Sequence, residues 1–320
     1  MNKLSYPQRK GRHNMEFLYF LEELRNPVLD VFFSFITEFG GETVFLATAL
    51  YLYWCVDKRQ GYYLLAVGFL GTLTSQFMKI TCRIPRPWVR DPSFTIVESA
   101  REAATGYSFP SGHSQSSVGT FGSIAACARQ KWVRILCIAV CVLVPFSRMY
   151  LGVHTPADVL VGSAIAVAMI FLLKPIVFGK DGKNIPLLFA VMIVMGIAFV
   201  GFMEFFPFPE AIDPHNLESA VKNSYTLIGA LLGMIVAYYF DEHHLHFPTE
   251  GTATAQALKM VIGAVLVLAV KSGLKAPLDA LFAGHMIALA ARYFLVVIVA
   301  GVLWPMTFRW FSRLGRKDEA

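Results

Sequence analysis

Charge is what this chain has least of. Only 16% of its 320 residues are charged and 56% are hydrophobic, whereas about 25% charged is usual for a soluble domain. That deficit excludes a solvated surface over most of the chain and points to a polytopic membrane protein. Cysteine pairs are missing as well. Cys55, Cys82, Cys127, Cys137 and Cys141 make no CxxC, and four of them lie in apolar runs where a thiol acts as a small hydrophobe, so they say nothing of a redox compartment. There is no internal repeat and no low-complexity stretch. The net charge is +6, yet no basic-aromatic patch or nucleic-acid motif accompanies it, which argues against a nucleic-acid partner. The basic N-terminus MNKLSYPQRKGRHN is followed by no uninterrupted apolar core or small-residue cleavage site. No cleaved signal peptide is therefore expected, and insertion falls to the first spanning helix.

What is present is a succession of apolar runs, at about 43–56, 61–78, 113–128, 132–146, 157–173, 186–206, 223–240, 256–270 and 286–305. The expected fold class is all-α, a transmembrane helix bundle of about nine spans. Ahead of it, Phe17, Leu21, Leu24, Val28, Phe32, Phe35, Ile36 and Phe39 recur at helical spacing among Glu22, Glu23, Asp30 and Glu38. Four carboxylates at roughly 2.5 to 3.5 kcal/mol each are too costly for mid-bilayer. These two helices, restarted at Asn26-Pro27, should lie along the interface or pack onto other helices. The division expected from chain order is an N-terminal segment 1–42, a core bundle 43–178 and a four-span extension 179–320. Basic residues at Lys58 and Arg59, at Arg129, Lys131 and Arg134, at Lys174, Lys180 and Lys183, and at Arg309, Arg313, Arg316 and Lys317 mark alternate connections as cytoplasmic. This puts the N-terminus outside despite Lys3, Arg9, Lys10 and Arg12.

Three polar clusters interrupt the apolar runs, all at the outward-facing ends. In KITCRIPRP, Lys79 ends a span and Arg86 follows between Pro85 and Pro87, which force the chain out of helix and leave Arg86 hanging in the loop. In YSFPSGHS, Ser111 can cap a helix whose free N–H groups come from Gly112, His113 and Ser114, a ready anion cradle with an imidazole beside it. In SRMYLGVHTPAD, Thr155-Pro156 starts a helix, His154 stands before the cap within reach of Asp158, and Arg148 adds a planar fork. A histidine oriented by a carboxylate is a nucleophile or base with a fixed tautomer. Three cations, helix-terminal N–H groups and two imidazoles match phosphoryl transfer without a metal: one imidazole attacks and the other protonates the leaving oxygen. The connection Trp88 to Phe109 should roof the site, with a short helix at Val97 to Ala104.

Lys79-x6-Arg86-Pro87, Pro110-Ser111-Gly112-His113 and Ser147-Arg148-x5-His154-x3-Asp158 resemble, position for position, the three-part signature of the type 2 phosphatidic acid phosphatase superfamily of integral membrane lipid phosphatases. The resemblance covers about residues 27 to 175. It implies that His154 is the nucleophile forming a phosphohistidine, Asp158 its orienting partner and His113 the acid. It further implies that Lys79, Arg86, Ser111, Gly112 and Arg148 hold phosphate, and that no cofactor or metal is needed. The nine-span plan is similar to glucose-6-phosphatase and sphingosine-1-phosphate phosphatases. The expected activity is hydrolysis of a lipid phosphate, monoester or diphosphate, on the outer side of a bacterial plasma membrane, with an endoplasmic reticulum lumenal site as the alternative. Rival readings are a phosphotransferase, a phosphatase for a soluble sugar phosphate, and a lipid transporter using His285 and Arg292 in the last span. These two residues could equally pair with Glu204 or Asp279. Glu242-His243-His244-Leu245-His246 reads as a hydrated turn before it reads as a metal site.

Overall fold

The computed structural model describes residues 13–179, 184–210 and 212–314, and every regular element among them is helical. Lys3, Arg9, Lys10, Arg12, Lys180, Lys183, Arg316 and Lys317, used above for orientation, lie outside the described residues. The helices are α1 (His13–Glu23), α2 (Pro27–Thr37), α3 (Glu42–Tyr51), α4 (Lys58–Cys82), α5 (Pro87–Arg90), α6 (Gly112–Cys127), α7 (Lys131–Tyr150), α8 (Pro156–Phe178), α9 (Ile185–Phe205), α10 (Pro214–Phe240), α11 (Ala253–Gly273), α12 (Lys275–Leu281), α13 (Ile287–Ile298) and α14 (Phe308–Phe311). All nine apolar runs are helices. Among the described residues, seven helices are long and apolar enough to cross a membrane, or eight if the bent pair Pro27–Gly40 and Glu42–Val56 is one span. The count by length falls short of nine because α6 has only 16 residues, against the roughly 20 that cross a bilayer. The chain is a multi-pass, all-helical membrane protein.

Two compact units are present. One joins the described residues up to Phe45 with Thr74–Ile170; the other joins Leu46–Leu73 with the described residues from Phe171 onward. The boundaries cut through α3, α4 and α8, so these helices belong in part to each unit.

In the first unit α1 and α2 pack on α7, one of the two arrangements expected for them. Asn26 caps α2, its Oδ1 accepting from the amides of Val28 and Leu29. Phe33 stacks on Tyr150 at 4.4 Å and joins Ala100, Ala104, Leu151 and Val153 in a buried cluster. Two of the four carboxylates that made a mid-bilayer placement costly are bonded: Asp30 of α2 accepts from the Tyr150 hydroxyl at 2.8 Å, and Glu22 of α1 accepts from Thr95. The other side of α2 stays apolar and exposed at Val28, Val31 and Phe35, as a surface facing lipid requires.

In the second unit Gly229 and Gly233 of α10, four residues apart, let α13 approach until a Cβ at Gly229 would stand 2.1 Å from the Ala290 carbonyl oxygen. This is the small-residue seam by which membrane helices pack closely. Lys58 pairs with the buried Asp241 at 2.7 Å, and the Glu242–His246 turn follows it with His243 stacked on Tyr239. His285 and Arg292 do not pair with Glu204 or Asp279 among the described residues. Glu204 accepts from the Tyr225 hydroxyl, His285 Nδ1 accepts from the Ile287 amide, and the Arg292 guanidinium lies 5.5 Å from the Tyr293 ring.

Candidate active site

The three polar clusters meet within the first unit, because the end of α4, the start of α6, the end of α7 and the start of α8 all carry them. Two backbone features deliver them. After α7 the chain reverses at Gly152, whose φ of +81° lies in the left-handed region that glycine adopts freely; a Cβ there would also stand 2.6 Å from Arg25 Nη2. Then Thr155 caps α8, with its Oγ1 facing the Asp158 amide and Pro156 as first residue. Gly162, one turn further, lets α8 come so close to the α6 cap that a Cβ would lie 2.5 Å from the Ser111 carbonyl oxygen. The Ser111 amide in turn donates to the Asp158 carbonyl at 2.9 Å.

At the head of α6 the cradle is smaller than the sequence suggested. Ser111 Oγ accepts from both the amide and the hydroxyl of Ser114, at 3.4 and 2.9 Å. The Ser114 N–H is therefore engaged, and the Gly112 and His113 amides remain for an anion. A Cβ at Gly112 would meet no atom within 4 Å beyond its chain neighbours and its own helix backbone. Ser111 can reach an anion only through its hydroxyl proton.

His154 is buried between two partners. Arg86 Nη1 lies 2.8 Å from Nε2, and a guanidinium can only donate. Nε2 is therefore an acceptor, which leaves the proton on Nδ1, facing Asp158 Oδ2 at 3.5 Å. That carboxylate oxygen also accepts from Ser108 Oγ at 2.6 Å and from the Thr155 amide at 2.7 Å. His154 falls between the segments that cross the membrane, and burial, then the charges of Arg86, Arg148 and Lys79, hold its pKa well below the usual imidazole range. It is a neutral ring with a lone pair on Nε2.

The three cations differ in what they touch. Arg86 does not hang in the loop; it is buried, donating Nε to Gly106 O, Nη2 to Thr105 O and Nη1 to Val153 O and to His154. Lys79 Nζ donates to Tyr107 O at 2.6 Å. Arg148 is fully buried, donates Nη1 to Thr37 Oγ1 at 2.9 Å, and leaves Nε and Nη2 without a partner. An unsatisfied buried donor costs about 1–3 kcal/mol, so this edge of the fork is set to receive an acceptor. In the connection Trp88 to Phe109, expected to roof the site, the Thr105, Gly106 and Tyr107 carbonyls accept from Arg86 and Lys79, and Trp88 is flanked by the guanidinium groups of Arg86 and Arg101. The regular structure of this connection is limited to α5 and a single 3-10 turn at Glu98–Ala100, where a longer helix was expected.

Ser108 and Thr37 escaped the sequence reading. Ser108 stands inside the YSFPSGHS stretch, so proximity was a signal; Thr37 is 111 residues from Arg148 and carried none.

Comparison with known proteins agrees with the geometry. Residues 59–181 match the family model described as PAP2 superfamily, and residues 225–317 match the PAP2 superfamily phosphatase, transmembrane extension. An undecaprenyl-diphosphatase of Sulfolobus acidocaldarius is 30% identical over 168 residues, covering 51% of this chain and 79% of that protein. The chain belongs to the PAP2 superfamily. Undecaprenyl-diphosphatase BcrC of Bacillus subtilis is also 30% identical, covering 46% of this chain and 74% of its own length. Sphingosine-1-phosphate phosphatase 1 of Rattus norvegicus is 25% identical over 187 residues, which is 56% of this chain but 42% of that protein. No solved structure matches.

Proposed function

We propose that the protein is a metal-independent membrane phosphatase that hydrolyses a lipid phosphate, monoester or diphosphate, through a phosphohistidine at His154. The observation that carries this reading is the pairing of a neutral, carboxylate-oriented His154 with Arg148, whose two buried N–H groups have no acceptor. In the first step Nε2 attacks phosphorus and forms the N–P bond, while the bond to the leaving oxygen breaks and that oxygen takes a proton from His113, whose charged form is favoured once the phosphate dianion is bound beside it. In the second step His113, now neutral, removes a proton from water, and the water oxygen displaces His154 as inorganic phosphate forms. Arg148, Lys79 and the Gly112 and His113 amides stabilise the charge on the equatorial oxygens. Ser111 adds one hydroxyl donor, and Asp158 offsets positive charge on the His154 ring. Entry of the phosphate draws Arg86 Nη1 away from Nε2 and so frees the nucleophile.

A lipid substrate fits two observations. The relatives are named for isoprenoid and sphingoid phosphates, and α2, which reaches Arg148 through Thr37, turns an apolar face outward. A headgroup can sit at His154 while its tail stays in the bilayer. By charge placement in the loops the site faces the extracytoplasmic side of a plasma membrane.

The test is purified protein in detergent given a polyprenyl diphosphate, a sphingoid phosphate, a phosphatidic acid and glucose 6-phosphate. Lipid phosphates are expected to lead the sugar by at least roughly tenfold in kcat/KM, about 1.4 kcal/mol. Rapid quenching should trap acid-labile phosphate on His154; the label should vanish in His154→Ala and form roughly two to four orders of magnitude more slowly in His113→Ala. Label on His113 would reverse the roles, and a preference for the sugar would refute the lipid assignment.

A further inference from the structure

We infer that Thr37, at the C-terminal end of α2, is a positioning residue of the phosphate site. Resting on the phosphatase reading above, this makes the N-terminal helices part of the catalytic unit. They lie outside the segment 59–181 that matches the family.

A guanidinium carries five N–H groups, and its Nε and Nη2 together form the planar edge that grips two oxygens of one phosphate. That edge is useful only if it cannot swing away. In Arg148 the opposite corner is fixed: Nη1 donates to Thr37 Oγ1 at 2.9 Å, while Nε and Nη2 are buried and have no partner. Thr37 is itself only 4% exposed and Arg148 0%. Both partners of this bond thus lie away from the surface. Glu38, the next residue, adds an attractive charge to the same guanidinium.

A second contact of the same turn points the same way. A Cβ at Gly40 would stand 2.8 Å from the His113 carbonyl oxygen and 2.8 Å from Val144 Cγ1. The stretch Thr37–Gly40 thus lies against the first turn of α6, whose Gly112 and His113 amides form the cradle, and also holds the fork. One wall of the anion site comes from the N-terminal segment. It is braced in turn by Arg25, which donates to Tyr150 O and Thr95 O, and by Tyr150, which donates to Asp30.

The experiment compares Thr37→Val, of nearly the same shape without the hydroxyl, and Thr37→Ser, which keeps it, each in the wild-type and Arg148→Ala backgrounds. The readouts are kcat/KM for a lipid phosphate and the inhibition constant of vanadate. A hydrogen bond to a charged group translates into a loss of roughly ten- to a hundredfold in Thr37→Val. The vanadate constant should rise in step, and Thr37→Ser should recover most of both. In the Arg148→Ala background Thr37→Val should change either value by less than about twofold, because an interaction already removed cannot be lost twice. A merely structural threonine would cost the same in both backgrounds, and that result would overturn the inference. So would Thr37→Val at wild-type activity while Arg148→Ala is impaired, with the phosphatase reading intact; an unimpaired Arg148→Ala would sink both.

Discussion

Replacing Asp158 by asparagine isolates one charge in the site. Asp158 Oδ2 accepts from Ser108 Oγ and the Thr155 amide, and lies 3.5 Å from His154 Nδ1. The asparagine amide oxygen can take the Oδ2 position and keep both donors, so the cap of α8 and the local fold survive. What is lost is the negative charge facing a ring that, in the proposed mechanism, becomes cationic as Nε2 bonds to phosphorus. Two unit charges 3.5 Å apart at an effective dielectric constant of about 20 interact by about 4–5 kcal/mol, which corresponds to roughly three orders of magnitude in rate. Single-turnover formation of phosphohistidine is the assay that reads this step alone. Asp158→Asn should slow it by about a thousandfold, while vanadate binding stays equal or tightens because a repulsive charge near the anion is gone. A loss below tenfold in a protein of unchanged melting temperature would mean that the carboxylate neither orients the ring nor stabilises its charge.

Two further outcomes are expected. With Cys82, which is exposed at the end of α4, replaced by serine, a membrane-impermeant maleimide should label a cysteine placed at Ser93 in intact cells and one placed at Gln130 only after permeabilisation, whereas the reverse pattern would place hydrolysis in the cytoplasm. Since burial and the neighbouring cations lower the His154 pKa, the ring stays neutral as pH falls past about 6.5, and the acid limb of kcat/KM, corrected for ionisation of the substrate phosphate, should lie below that value; a limb above it would mean that protonated His154 is favoured by its surroundings.

The parts of the site that were legible in the sequence are those written in local chain geometry. Asn26-Pro27, Ser111 and Thr155-Pro156 each start a helix, and each start is where the rules of capping put it. Once the starts are known, Gly112, His113, His154 and Asp158 follow by counting. Thr37 could not be found this way, because hydropathy periodicity tells which face of α2 is apolar but not what its few polar atoms meet. The same limit explains why α1 and α2 had two readings. A face packed on Tyr150 and Phe146 and a face set in lipid are equally apolar, since the hydrocarbon interior of a bilayer asks of a side chain what a protein core asks. The division into two units that cuts through α3, α4 and α8 was hidden for that reason too.

The motif presents Lys79, Arg86 and Arg148 as three equivalent cations, and their surroundings make them unequal. Arg86 already donates to Thr105, Gly106, Val153 and His154, so its loss frees three carbonyls and the ring orientation together, and a lysine, with one point charge and no fork, cannot restore four separate acceptors. Lys79 has a single acceptor among the described residues, Tyr107 O, and in the proposed mechanism its other N–H groups turn to the phosphate. Arg148 alone presents a planar, buried and unfilled edge. Positive charge is therefore only part of what the three residues contribute. In the proposed mechanism Arg86 fixes the shape of the empty site and Arg148 fixes where the phosphate oxygens go, while the threonine bonded to Arg148 comes from a helix the signature does not include.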